Sequence, residues 1–232
     1  MTVPYETAKA DLLQAALMHV PFDGWSETAF QAATRDTELA PSVARAICPR
    51  GAVDLAIAFH KAGDEAMIQR LAEADLSGMK FREKVTAAVR YRLEAVEDKE
   101  AVRRGTTLFA LPMYAPDGAK LVWGTCDAIW TALGDTSEDV NWYTKRATLA
   151  GVYSSTVLYW LGDDSPDHMA TWAFLDRRIE DVMRIEDVKA RVRKSPTLSR
   201  LMAGPNWVLG QIKAPSRSPR TDMPGSWTTP QE

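Results

Sequence analysis

Cysteine is nearly absent: Cys48 and Cys126 are the two in 232 residues. They are too few and too isolated for a disulfide framework or a cysteine-rich metal site, and a reducing compartment is the simpler expectation. Histidine is almost as scarce. His19, His60 and His168 lie in separate segments without His-x3-His or Glu-x2-His spacing, which argues against a histidine metal centre. No run of about 18 or more apolar residues occurs. The N-terminus MTVPYETAKADLL lacks the basic start and apolar core of a signal peptide, so a cytoplasmic protein is expected unless something else holds it at a membrane. There is no glycine-rich phosphate loop and no G-x-S-x-G elbow. The pair Asp163-Asp164 stands at the start of a predicted helix, where capping and the macrodipole account for it. With no base, nucleophile and metal brought together, no catalytic residue is assigned, no metal or other cofactor is implied, and the chain reads as a non-enzyme.

Period-2 alternation is also missing, so the fold is expected to be all-α. What is present is an ordinary globular composition, 46% hydrophobic and 25% charged, enough to bury a sizeable core. The net charge of −3 does not suggest a nucleic-acid binder, but it is unevenly placed. Residues 1–60 carry four Lys/Arg against seven Asp/Glu, whereas 189–220 carry eight Lys/Arg and no acid. Helical spacing predicts a first helix over 6–20, ended by Pro21 and Gly24, and a second from a Ser26 cap to about Arg35. A very short third helix begins at Pro41, and a fourth runs from Gly51 to Lys61. Amphipathic helices follow over 64–76 and 79–96, then Asp98–Leu111, a turn at Tyr114–Gly118, and 119–133. The last regular helix runs from His168 to about Arg184 and continues in basic form. The expected division is a helix-turn-helix-like subdomain at 1–61, a larger helical domain at 62–188, a basic amphipathic segment at 189–213 and a tail at 214–232, whose Pro/Ser/Thr composition suits disorder.

Four features stand above this background. The short N-terminal helices resemble the helix-turn-helix domain of TetR-type regulators, in which the third helix reads the major groove. Here that helix carries only Arg45 in a net-acidic segment. Second, the helix after Asp139 places Trp142, Leu149, Tyr153 and Trp160 in one sector at about 100° per residue. Val152, Val157, Leu158 and Tyr159 cover most other directions, so its second half is expected to be buried all round. Its first two turns mix Trp142 and Tyr143 with polar neighbours, a composition suited to docking. Third, the larger domain concentrates Leu108, Phe109, Leu111, Met113, Trp123, Trp130, Tyr153, Val157, Trp160, Trp172 and Phe174, which either fill a core or line a lipid-sized cavity. Fourth, Leu198, Leu201, Met202, Val208, Leu209 and Ile212 form a stripe behind Lys189, Arg191, Arg193 and Lys194. That is the composition of an interfacial membrane helix, or of a last helix packed on the bundle. Gly204-Pro205 interrupts it.

At Asp139-Val-Asn-Trp-Tyr-Thr-Lys-Arg146, with Asp135-Thr-Ser137 before it and Thr171-Trp-Ala-Phe-Leu175 and Arg178 after it, the chain resembles the ubiquinone (coenzyme Q) biosynthesis accessory family of the COQ9 type. The likeness spans roughly residues 8–185. It implies a TetR-like helical bundle, homodimeric and without DNA binding, with a C-terminal amphipathic helix on an anionic membrane surface. It further implies that the larger domain holds an isoprenoid lipid or ubiquinone precursor and presents it to the di-iron demethoxyubiquinone hydroxylase. Carried across, the hydroxylase-binding patch falls on Asp139, Trp142 and Tyr143, with Arg146 as a structural or patch member, and the lipid falls to the aromatic and aliphatic set above. Mitochondrial members carry a transit peptide. The N-terminus here does not resemble one, so a bacterial-type protein on the inner face of the membrane, or a processed form, is expected. The competing class is a TetR-like repressor with a hydrophobic effector, which calls for a basic face formed by Arg35, Arg45 and Arg50.

Overall fold

The protein is described here from a computed structural model covering residues 5–194 and 213–215, without the side chains of 185–194. The described residues form nine α-helices and no strand. Helix α1 (Tyr5–Asp23) buries Ala8, Leu12, Leu13, Ala16 and Val20 at the predicted spacing. Pro21 does not end it. The proline sits in the last turn, its carbonyl accepts a hydrogen bond from Arg104 Nη2 at 3.0 Å, and Gly24 in the left-handed region (φ 68°) makes the stop. Helix α2 (Glu27–Asp36) starts at Ser26, whose Oγ accepts the Ala29 N–H at 3.3 Å, and α3 (Pro41–Ile47) opens on its proline.

Helix α4 (Ala52–Glu73) corrects the sequence reading, which broke it after Lys61. Gly63 looks like a breaker but serves a packing need inside the helix. A Cβ there would lie 2.5 Å from Nη1 of Arg92, whose guanidinium rests against the bare backbone. Two cores result. One joins α1, α2, α3 and the start of α4 around Leu12, Val20, Phe30 and Leu55. The other gathers Met67 and Leu71 of α4 with helices α5 (Phe81–Glu94), α7 (Ala115–Ala132), α8 (Val140–Leu161) and α9 (Met169–Lys194). The expected division at 61–62 therefore falls within one rod that serves both interiors.

Helix α6 (Lys99–Phe109) is capped by Asp98, whose Oδ1 accepts the Glu100 N–H at 2.8 Å. The predicted turn at Tyr114–Gly118 is instead the first turn of α7, where Pro116 needs no N–H partner. Gly118 lets α7 cross Phe109, since a Cβ there would lie 2.8 Å from the Phe109 Cβ. Helix α6 also caps the far end of α8: Lys99 Nζ donates to the Trp160 and Asp163 carbonyls at 3.0 and 2.8 Å, and Arg103 Nη2 to that of Leu161 at 2.7 Å. Cations at a helix C-terminus satisfy its orphan carbonyls and its dipole. All-round burial of α8 does not hold, because Leu158 is 66% and Tyr159 40% exposed.

Candidate functional site

The N-terminal end of α8 is fixed by Asp139, whose two carboxylate oxygens accept the Asn141 backbone and side-chain N–H groups at 2.9 Å each. One turn on, half-buried Trp142 and Tyr143 meet edge to face at 4.8 Å, and Trp123 of α7 completes the cluster at 5.9 and 6.4 Å. Arg146 is not on this surface. It is wholly buried and lies over the Trp142 ring at 4.0 Å, with Nε donating to Asp127 at 2.6 Å and Nη1 to Asp135 and the Trp142 carbonyl at 3.0 Å each. Position 146 follows Trp142 by one turn on the same face, and Asp127 and Asp135 hold its guanidinium beneath the ring. Burial alone would raise the Asp135 carboxyl, but hydrogen bonds from Lys145, Ser137 and Arg146 outweigh it and hold it well below the usual carboxylate range. The aromatic cluster thus rests on a compensated cage of charge.

Between α4, α5, α6, α7 and α8 lies a cavity of about 310 Å³. Most of its wall is apolar, including Phe59, Leu93, Val102, Phe109, Val122 and Val157. Its polar wall is formed by His60, Arg92 and Tyr153, with Thr106 and Ser154. Arg92 donates from Nε to Asp64 at 2.6 Å and from Nη2 to the His60 carbonyl at 2.9 Å. Thr125 links Asp64 (2.9 Å) to His60 Nε2 (2.8 Å). Burial, then the Arg92 charge, push the His60 pKa down to about 4 despite Asp64, so the imidazole is neutral at pH 7. With Arg92 matched by Asp64, this wall offers hydrogen bonds without net charge. Leu158 lines the cavity yet is two-thirds exposed, which places it at the mouth.

The structure brings together only part of the aromatic set singled out in the sequence. Tyr153, Val157 and Phe109 line the cavity. Leu108 packs against the first core, and Leu111 and Met113 are exposed on the surface. Trp123 belongs to the α8 patch. Trp160 is core under the Lys99 ammonium, and Phe174 stacks on Tyr159 at 4.5 Å. Trp172 donates from Nε1 to the Asp167 carbonyl at 2.8 Å. Trp130, stacked on Phe81 at 5.3 Å, borders a second cavity of about 650 Å³ between α5, α8 and α9. His60, Arg92 and Phe59 were missed. A signal existed for Arg92, a charge set in the apolar stripe of Val85, Val89 and Val96, which a helix buries only with a partner.

Leu198, Leu201, Met202, Val208, Leu209 and Ile212 lie outside the described residues. Among those described, no helix is long and apolar enough to cross a membrane. In the helix-turn-helix region, Arg45 pairs with Glu27 and covers the Phe30 ring, while Arg50 bridges Asp54 and Asp117 at 3.0 and 2.9 Å.

Comparison with known proteins agrees with this architecture. The solved TetR transcriptional regulator from Nitrosomonas europaea superposes with a TM-score of 0.63 at 15% identity, covering 75% of this chain and 97% of that one, a likeness of fold alone. Curated mitochondrial ubiquinone biosynthesis proteins COQ9 are similar in sequence. That of Drosophila melanogaster is 32% identical over 186 residues (78% of this chain, 57% of that protein), that of Rattus norvegicus 30% over 195 (79% and 61%), and that of Homo sapiens 28% over 195 (79% and 60%). The chain spans about three-fifths of the length of these curated relatives. The COQ9 family model matches residues 115–186, from the start of α7 through α8 into α9, and over most of its length the chain is similar to COQ9 proteins at about 30% identity.

Proposed function

We propose that this protein is a lipid-holding accessory factor of ubiquinone biosynthesis that presents an isoprenoid quinone precursor to the di-iron demethoxyubiquinone hydroxylase. The observation that carries this reading is the α4–α8 cavity, apolar over most of its wall and neutral where it is polar. A prenyl chain in water is costly, and each CH₂ moved from water into such a lining is worth about 0.8 kcal/mol. A neutral hydrogen-bonding wall suits an uncharged ring, and the paired Arg92 leaves no spare cation for a phosphate. Trp142 and Tyr143, with Asp139 beside them, supply the docking surface, since aromatic anchors on a rigid support dominate many interfaces. Arg146 contributes from beneath by holding the Trp142 ring. The basic stretch from Lys189 and the apolar stripe after it hold the protein peripherally on anionic lipid, and the working unit is a homodimer. The protein lowers the cost of moving a substrate and carries out no bond-making itself.

Mass spectrometry of lipids extracted from the natively purified protein tests this reading. Isoprenoid quinones or their precursors at near-stoichiometric amounts are expected. Recovery of phospholipid alone, or of no lipid, would overturn it. The fold likeness to a transcriptional regulator favours one other reading, a repressor with a hydrophobic effector. Against it, Arg45 and Arg50 pair with Glu27, Asp54 and Asp117, which leaves exposed Arg35 alone of the three expected cations, where a DNA reader would keep several for phosphates.

A further inference from the structure

The chain returns to the docking end of α8 after its basic C-terminal stretch. Lys213–Pro215 lies there, and a single peptide group, the one joining Lys213 to Ala214, is held at both its polar ends. The Ala214 N–H donates to the Glu138 carbonyl at 2.9 Å, and the Lys213 carbonyl accepts from the Tyr143 hydroxyl at 3.3 Å. Glu138 directly precedes the Asp139 cap, and Tyr143 belongs to the aromatic cluster. Pro215 adds to the grip. A residue before proline is driven toward extended backbone, so Ala214 has fewer conformations to lose when the contact forms.

From this contact we propose that Lys213–Pro215 is a latch that covers the docking surface and competes with the partner for Tyr143. The consequence for the hydroxylase rests on the docking role proposed above, whereas the latch itself rests only on the two contacts. A partner that seats on Tyr143 meets a hydroxyl already donating to the chain's own backbone and must lift the peptide away. Two hydrogen bonds at an exposed site make this a weak clasp, one that lowers apparent affinity by roughly tenfold without abolishing binding.

Ala214→Pro tests the proposal in the full-length protein, because it removes the donated N–H and leaves every residue of the α8 patch in place; Ala214→Ser, which keeps the N–H, is the control. Two readouts separate the latch from its consequence. The first is the rate of Tyr143 nitration by tetranitromethane, followed by peptide mass spectrometry. It is expected to rise several-fold in Ala214→Pro and not in Ala214→Ser, and an unchanged rate would overturn the latch. The second is affinity for the purified hydroxylase by calorimetry, expected to be about tenfold tighter in Ala214→Pro. Faster nitration with unchanged or weaker hydroxylase binding would overturn the competition and leave the latch. Faster nitration with no hydroxylase binding by any form, the control included, would count against the docking role itself.

Discussion

His60 shows how one side chain on a cavity wall sets a measurable property of the whole protein. Its folded pKa of about 4 lies below the ordinary 6.5, so the folded state refuses a proton that the unfolded chain accepts as pH falls. Stability is therefore unaffected above about pH 6.5 and declines from there toward pH 4, at about 1.4 kcal/mol per pH unit. Urea unfolding should show a loss of about 2 kcal/mol between pH 7 and pH 5, and His60→Gln should flatten that limb. Asp135 and Asp163, both held well below the carboxylate range, contribute stability that is fully present above about pH 4 and is lost only in more acid solution, so the two windows do not overlap. None of this could be read from His60 as a letter in the sequence. Its neutrality comes from the fold that buries it beside Arg92, a residue distant along the chain. Trp142 and Tyr143 were legible as a pair because they are consecutive in the sequence, whereas the choice between a structural and a surface place for Arg146 was not, because it depends on Asp127 and Asp135 outside its own helix.

At the scale of elements, α4 is the instructive case. Glycine inside a helix costs about 1 kcal/mol relative to alanine, so Gly63→Ala would stabilise the helix taken alone. In the folded protein the new methyl displaces the Arg92 guanidinium from Asp64, and breaking a buried pair costs about 3–5 kcal/mol. The second effect is the larger, and a drop of roughly 2 kcal/mol or more in the stability of Gly63→Ala by urea titration is expected. The same site explains where the sequence reading stopped short. A glycine followed by a second amphipathic run looks like a boundary, and only the crossing of α5 reveals that the backbone must be bare there. Helix type and order were readable from apolar spacing and caps, as with Ser26, Asp98 and Asp139. The exposure of Leu158 and Tyr159 was not, because a helix that looks apolar all round says nothing about which of its directions opens onto a cavity mouth or meets Phe174.

For the molecule as a whole, the cavity and the aromatic patch occupy the same helix, with Tyr153 and Val157 facing the cavity and Trp142 and Tyr143 at the other end. Neither site is visible in overall composition. The cavity is an absence left by five helices, and the residues that bound it come from segments spread from Trp25 to Leu158. The rod that carries Leu55 into one interior and Met67 into the other has a thermodynamic consequence. Freeing either interior would strip half of its buried face while the other half stayed bound, an intermediate with little to hold it. Far-ultraviolet and near-ultraviolet circular dichroism should therefore melt at one common midpoint, and two separated midpoints would contradict the shared rod. Two hydrophobic interiors strung on a single spine behave as one thermal unit, so damage to either one is felt as loss of both.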